Sequence, residues 1–173
     1  MNTQTRYHPI VIVAAMLAIL ALTSLACSFS GPRMGTVSSL VDITLTQEMF
    51  DQMPRDAEVH LGDHCQPLDE VTRVELHDGF IRFLGTNIRA DGSRVNGSFD
   101  LSLGAEDDML KAQIVAVDIP GMTLKDSCIV GANMELAMDL SELMEDPQGE
   151  VLFKEVMVEE GALRMKVQVN VDL

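Results

Sequence analysis

The chain contains no tryptophan, one tyrosine and six phenylalanines, so its core cannot be built mainly from large rings. Twelve methionines supply the apolar bulk instead, and methionine suits irregular or adaptable apolar space. Basic residues are also scarce. Twelve Lys and Arg stand against 27 Asp and Glu, a formal net charge of −15. Too few cations are present to neutralise phosphates, which argues against nucleic acid as a partner. The same shortage disfavours electrostatic adhesion to anionic headgroups. Catalytic signatures are missing: there is no Gly-x-Ser-x-Gly, no His-Glu-x-x-His and no phosphate loop. Residues 91–97, DGSRVNG, begin like a calcium loop, but Ser93 and Val95 stand where further ligands belong. These absences point to a protein that is not an enzyme, with no catalytic residues, no cofactor and no metal centre.

What is present begins with an uncharged apolar run. Residues 10–26, IVIVAAMLAILALTSLA, follow a polar start carrying Arg6 and lead to Cys27. A cationic start, an apolar stretch and small residues before a cleavage point make a signal peptide. The run resembles a bacterial lipoprotein lipobox, with small Ala26 before the cysteine. It departs from the strict motif at Ser24 and Leu25 and meets only its permissive form. The resemblance implies cleavage after residue 26 and a lipid, such as palmitate, on Cys27. It also implies an extracytoplasmic domain tethered to the membrane of the cell envelope. At 17 residues the run is also near the lower limit for spanning about 30 Å of hydrocarbon. A single-pass N-terminal anchor with the domain outside is therefore the alternative, and cleavage releasing a soluble domain is a third reading.

Residues 28–39, SFSGPRMGTVSS, have the composition of a flexible spacer. The organisation expected is a signal peptide at 1–26, lipidated Cys27 and linker at 27–39, and one domain at 40–173. Without the leader and its Arg6, 11 basic residues remain against 27 acidic ones, about −16. With Cys27 assigned to lipid, Cys65 and Cys128 remain, and a pair in an oxidising compartment reads as a disulfide. Closing that loop of about 60 residues would stabilise the fold by roughly 3–4 kcal/mol in the chain-entropy model. A competing metal site would use His60, Asp63, His64 and Cys65 of VHLGDHC, where His60 and His64 have helical i,i+4 spacing. Gly62 and Pro67 argue instead for a loop there.

Periodicity predicts mixed α and β. Residues 43–53, ITLTQEMFDQM, read as a short strand leading into a helix, with Thr44 and Gln47 as a capping box and Pro54 as the stop. Alternating runs flank Asp78-Gly79, a hairpin signal. Further turns at Ala90-Asp91-Gly92 and at the acidic 104–108 extend this to a meander of about four antiparallel strands. Residues 126–145 read as a helix with Ile129, Ala132, Leu136, Leu140, Leu143 and Met144 as its apolar stripe. Val130, Met134 and Met138 widen it. A last hairpin turns at Gly161, and Leu163, Met165, Val167, Val169 and Val171 share one face of its final strand.

This order, with VELHDGFIRFLGT, VNGSFDLSL, AQIVAVDIPGMTL and VMVEEGALRMKVQV as its phrases, resembles the tubular lipid-binding (TULIP-like) superfamily. The resemblance implies an α+β fold. A curved antiparallel β-meander of about five to six strands would wrap one longer helix, with a short N-terminal helix besides. It further implies an apolar groove for lipid or another apolar small molecule. Phe80, Phe83, Phe99, Met134 and Met138 are the candidate lining. The alternative is a fully packed core and an acidic surface that binds another envelope protein. No protein partner is named by the sequence.

Overall fold

Tight turns set the registers. Gly79 and Gly161 take positive φ of 87° and 74°, and Asp107 and Asp108 take 52° and 63°, the paired left-handed residues of a type I′ hairpin turn. The computed structural model describes residues 36–52, 66–144 and 149–172. The elements are β1 (Thr36–Thr46), α1 (Gln47–Asp51), β2 (Glu70–His77), β3 (Phe80–Ile88), β4 (Arg94–Glu106) and β5 (Met109–Asp118). They continue as α2 (Ser127–Met144), β6 (Gly149–Glu159) and β7 (Ala162–Asp172). The fold is α+β and its strands pair antiparallel.

The expected meander forms one sheet, in the order β2-β3-β4-β5. The remaining strands form a second, in the order β1-β7-β6. There are thus seven described strands in two sheets, where five to six in a single meander were expected. The reason is β1, which pairs with β7 over its full length, from Thr36 opposite Asp172 to Thr46 opposite Ala162. The spacer expected over 28–39 therefore overlaps β1 by four residues. Thr and Val are good strand formers, and a distant partner strand overrides the Gly/Ser flavour of the segment. The capping box also fails. Thr44 lies in β1, and Thr46 occupies the N-cap with no side-chain bond to the five-residue α1. The loop expected at VHLGDHC lies outside the described residues.

One face of the four-stranded sheet is apolar. Ile81 and Phe83 on β3 stand opposite Leu101 and Phe99 on β4. Ile129, Ala132 and Leu136 of α2 pack against one part of this face, with Leu68, Phe99, Leu101 and Ile114. Leu45, Val156, Val158, Leu163, Met165 and Val167 cover another part, against Leu76 and Ile81. Phe83 and Leu103 touch both clusters. Hairpin turns fasten the sheets together: Gly79 N–H donates to Val158 O at 2.9 Å, Gly161 N–H to Leu76 O at 3.1 Å, and Phe153 N–H to Asp108 O at 2.8 Å.

Both outer strands of the larger sheet carry a side-chain amide where a neighbouring strand would be. On β2, Gln47 Nε2 donates to Val74 O at 2.7 Å, and Leu76 N–H donates to Gln47 Oε1 at 2.8 Å. On β5, Ile114 N–H donates to Asn133 Oδ1 at 2.7 Å, and Asn133 Nδ2 reaches Ile114 O at 3.5 Å. Within the sheet, β2 and β3 approach so closely that a Cβ on Gly85 would stand 1.9 Å from Glu70 O.

Replacing Asn133 with Leu leaves the Ile114 amide without its partner beneath a helix. Orphaning such a group costs on the order of 2 kcal/mol. Urea unfolding of the Asn133→Leu protein should show that loss as a lower midpoint at unchanged slope.

Candidate functional site

A local turn leads into α2: the Thr123 N–H and hydroxyl both donate to Asp126 Oδ2, the hydroxyl at 3.0 Å. Asp126 O then accepts from Val130 N–H at 3.0 Å. Four residues of the first predicted stripe pack as expected, with Ile129 and Ala132 at 0%, Leu136 at 2% and Leu140 at 6% exposure, while the side chains of Leu143 and Met144 lie outside those described. The widening shoulder does not. Val130 is 47% exposed, Met134 63% and Met138 65%. At 100° per residue Met134 and Met138 lie on the opposite side of the helix from Ile129, Leu136 and Leu140. Ala137 and Ser141 are exposed beside them, so this outer face is apolar or small over several turns.

The five residues proposed to line a groove are therefore not brought together. Phe83 and Phe99 stack at a centroid distance of 4.9 Å and 13° between planes, and Phe99 is 1% exposed inside the sheet–helix core. Phe80 alternates with Phe83 onto the other face of the sheet. There it packs on His77, centroids 5.1 Å apart, and on the Arg82 guanidinium at 5.2 Å. Sequence periodicity finds both stripes of α2 but does not say which one meets the sheet. A pocket of about 90 Å³ does lie between β5 residues 109–112 and Ala137, Leu140 and Ser141 of α2. Small-molecule sites commonly occupy roughly 300–1,000 Å³, so this one is a seam between helix and strand.

The outer face of the large sheet carries charge. Arg82 grips Asp100 through Nε at 2.7 Å and a second nitrogen at 2.8 Å. That bond to Asp100 raises the Arg82 pKa above its ordinary value, against some opposing desolvation. Arg73 Nε lies 3.1 Å from Glu75. The His77 ring stands between Glu75 and Glu160, 3.3 Å from each. Elsewhere the Ser93 hydroxyl and N–H bond Asp91 and lower its pKa, and Glu155 raises that of Lys166. Arg73, Arg82 and Lys166 are thus each committed to a carboxylate. Among the described residues no group of three or more His, Cys, Asp or Glu is placed to hold a metal ion.

Cys128 is half-buried in the first turn of α2 and is disulfide-bonded. Cys27, His60, Asp63, His64 and Cys65 lie outside the described residues, as does the apolar run 10–26. Among the described residues no helix is long and apolar enough to cross a membrane. Sequence reasoning misses Asn133 and His77, and assigns Gln47 to a capping box instead of the edge of β2. A signal existed for Asn133: it is an uncharged amide on the flank of an apolar stripe, adjoining Leu140 on the helical wheel.

The two kinds of site separate by mutation. Phe99→Ala should destabilise the domain by about 4 kcal/mol through the cavity it leaves. Met134→Lys and Met138→Lys, with similar helix propensities, should each stay within about 0.5 kcal/mol. Urea titration of the three variants checks this. Comparison with protein-family models, with curated proteins and with solved structures finds no match to the chain.

Proposed function

We propose that the chain is a non-catalytic, membrane-tethered interaction domain of the cell envelope, which presents the outer face of α2 to a protein partner. The observation that carries this reading is the exposure of Val130, Met134 and Met138 on a helix whose opposite side is fully occupied. Exposed apolar patches mark interaction sites, and methionine-rich ones adapt to the surface they meet. The acidic remainder of the surface keeps the tethered domain soluble and favours a partner with a basic rim. Lipid on Cys27 would hold the domain near its partner where charge alone would repel it from anionic membranes. In the finer architecture, we read the four-stranded sheet as curving over α2, with register shifts after Val71 and opposite Asp100 supplying the bend.

The proposal includes a Cys65–Cys128 disulfide. Leu68 packs in the same cluster as Ile129. Residue 65 lies three positions before Leu68, within about 10 Å of chain, and Cys128 adjoins Ile129. Mass spectrometry of the chain from membranes should report acyl mass on Cys27 and a peptide joining Cys65 to Cys128. A free Cys65 thiol would remove the bridge from the account.

A photo-crosslinking residue at position 134 or 138, in membranes, tests the interface. Protein adducts are expected there and not from position 72 on the far edge strand. Adducts to lipid alone, or uptake of a fluorescent fatty acid by the purified chain, would favour the groove reading. No adduct at either position would sink the proposed interface.

A further inference from the structure

We propose that His77 is a proton-gated clasp between the two sheets, closed when its ring is charged. His77 Nδ1 lies 3.3 Å from Glu160 Oε2 and its Nε2 lies 3.3 Å from Glu75 Oε2. A neutral imidazole has one N–H and one lone pair, and a lone pair directed at a carboxylate oxygen makes no bond. Both contacts are hydrogen bonds only when both nitrogens carry protons. The two carboxylates belong to different sheets. Glu75 is on β2, whereas Glu160 is in the turn between β6 and β7.

The clasp lies over bonds that already join these elements. Glu160 N–H donates to Asp78 Oδ1 at 2.8 Å, and Gly161 N–H donates to Leu76 O at 3.1 Å. The surrounding elements supply the remaining charges. On the same strand Arg73 holds Glu75 at 3.1 Å. From β3, Arg82 is taken up by Asp100, and Phe80 packs on the imidazole. The β6–β7 hairpin brings Glu159, held by Arg164 at 2.9 Å, and the β2–β3 turn brings Asp78. Packed on the edge of β2, α1 carries Glu48 and Asp51.

These neighbours decide which contact opens. Glu75 keeps Arg73 when the ring is neutral, and its side chain is 24% exposed. Glu160 is 72% exposed, is hydrated readily, and has no other side-chain partner among the described residues. Loss of the proton therefore frees Glu160 and leaves the remaining N–H on Nε2, facing Glu75. The turn between β6 and β7 then rests on the bonds from its Glu160 and Gly161 N–H groups to Asp78 and Leu76. The device is separate from the α2 face and stands or falls independently of it.

Histidine rings titrate within reach of pH 5 to 8, so nitrogen NMR of the chain in detergent micelles over roughly that range and somewhat above tests the clasp. The His77 ring and the Glu160 and Gly161 backbone amides are expected to move with one shared midpoint, and the neutral ring is expected as the Nε2–H tautomer. His77→Gln and Glu160→Gln should each abolish the movement at Gly161, while Glu159→Gln should preserve it. Glu160 is exposed, so its variant keeps the test available if His77→Gln fails to fold. Amides that ignore the ring titration, a neutral Nδ1–H tautomer, or a Gly161 movement that survives Glu160→Gln would each overturn the proposal.

Discussion

Covering one apolar sheet face is the constraint on which the domain depends. Strand β4 has 13 residues, about 43 Å at 3.3 Å per residue. The 18 residues of α2 reach about 27 Å at 1.5 Å each. Even laid along β4, the helix could not cover the face. The sheet of β1, β7 and β6 covers the rest, and Phe83 and Leu103, which touch both clusters, sit where the two fillers meet. The same arrangement requires closed edges. Gln47 and Asn133, from the two helices, each offer an amide to an outer strand, so helix placement and edge protection come from the same residues.

This double filling shapes the function. Side chains that would otherwise line an opening are spent on packing: Phe99 is 1% exposed and stacked on Phe83. What remains between α2 and β5 is a seam of about 90 Å³. The unspent apolar surface is outside, on the back of α2. In the proposed reading, a lipid tether, an acidic exterior and an adaptable methionine face would combine into a domain held near a membrane but built to contact something other than its headgroups. The polar side of the large sheet, with His77 and its carboxylates, forms a second locus. It concerns how the sheets hold together.

Much of this was legible in the sequence, for physical reasons that differ by segment. Asp78-Gly79 and the alternation around it specify a hairpin locally, and the four-strand meander follows from such turns. The extent of α2 follows from its apolar stripe. By contrast, only the end of β1 is legible as a short strand before the helix, because Ser and Thr hide the alternation of its first half, which has the composition of a spacer. Its strand character depends on β7, more than a hundred residues away. The split into two sheets is likewise a long-range outcome. Met134 and Phe99 show the same limit at the level of the site. Both are apolar at a regular spacing, and only the packing direction of α2 puts one in solvent and the other in the core.

The central claim, that the back of α2 is free in the isolated chain and covered in the envelope, is tested most directly by methionine oxidation. Peroxide converts accessible methionine to its sulfoxide. The chain would be treated in its native membranes and, in parallel, after purification in detergent, with oxidation at each methionine read by peptide mass. The account predicts fast oxidation of Met134 and Met138 in the purified chain and protection in membranes, with Met165, 5% exposed, slow in both. Equal rates at Met134 and Met138 in the two preparations, or slow oxidation of both in the purified chain, would contradict it.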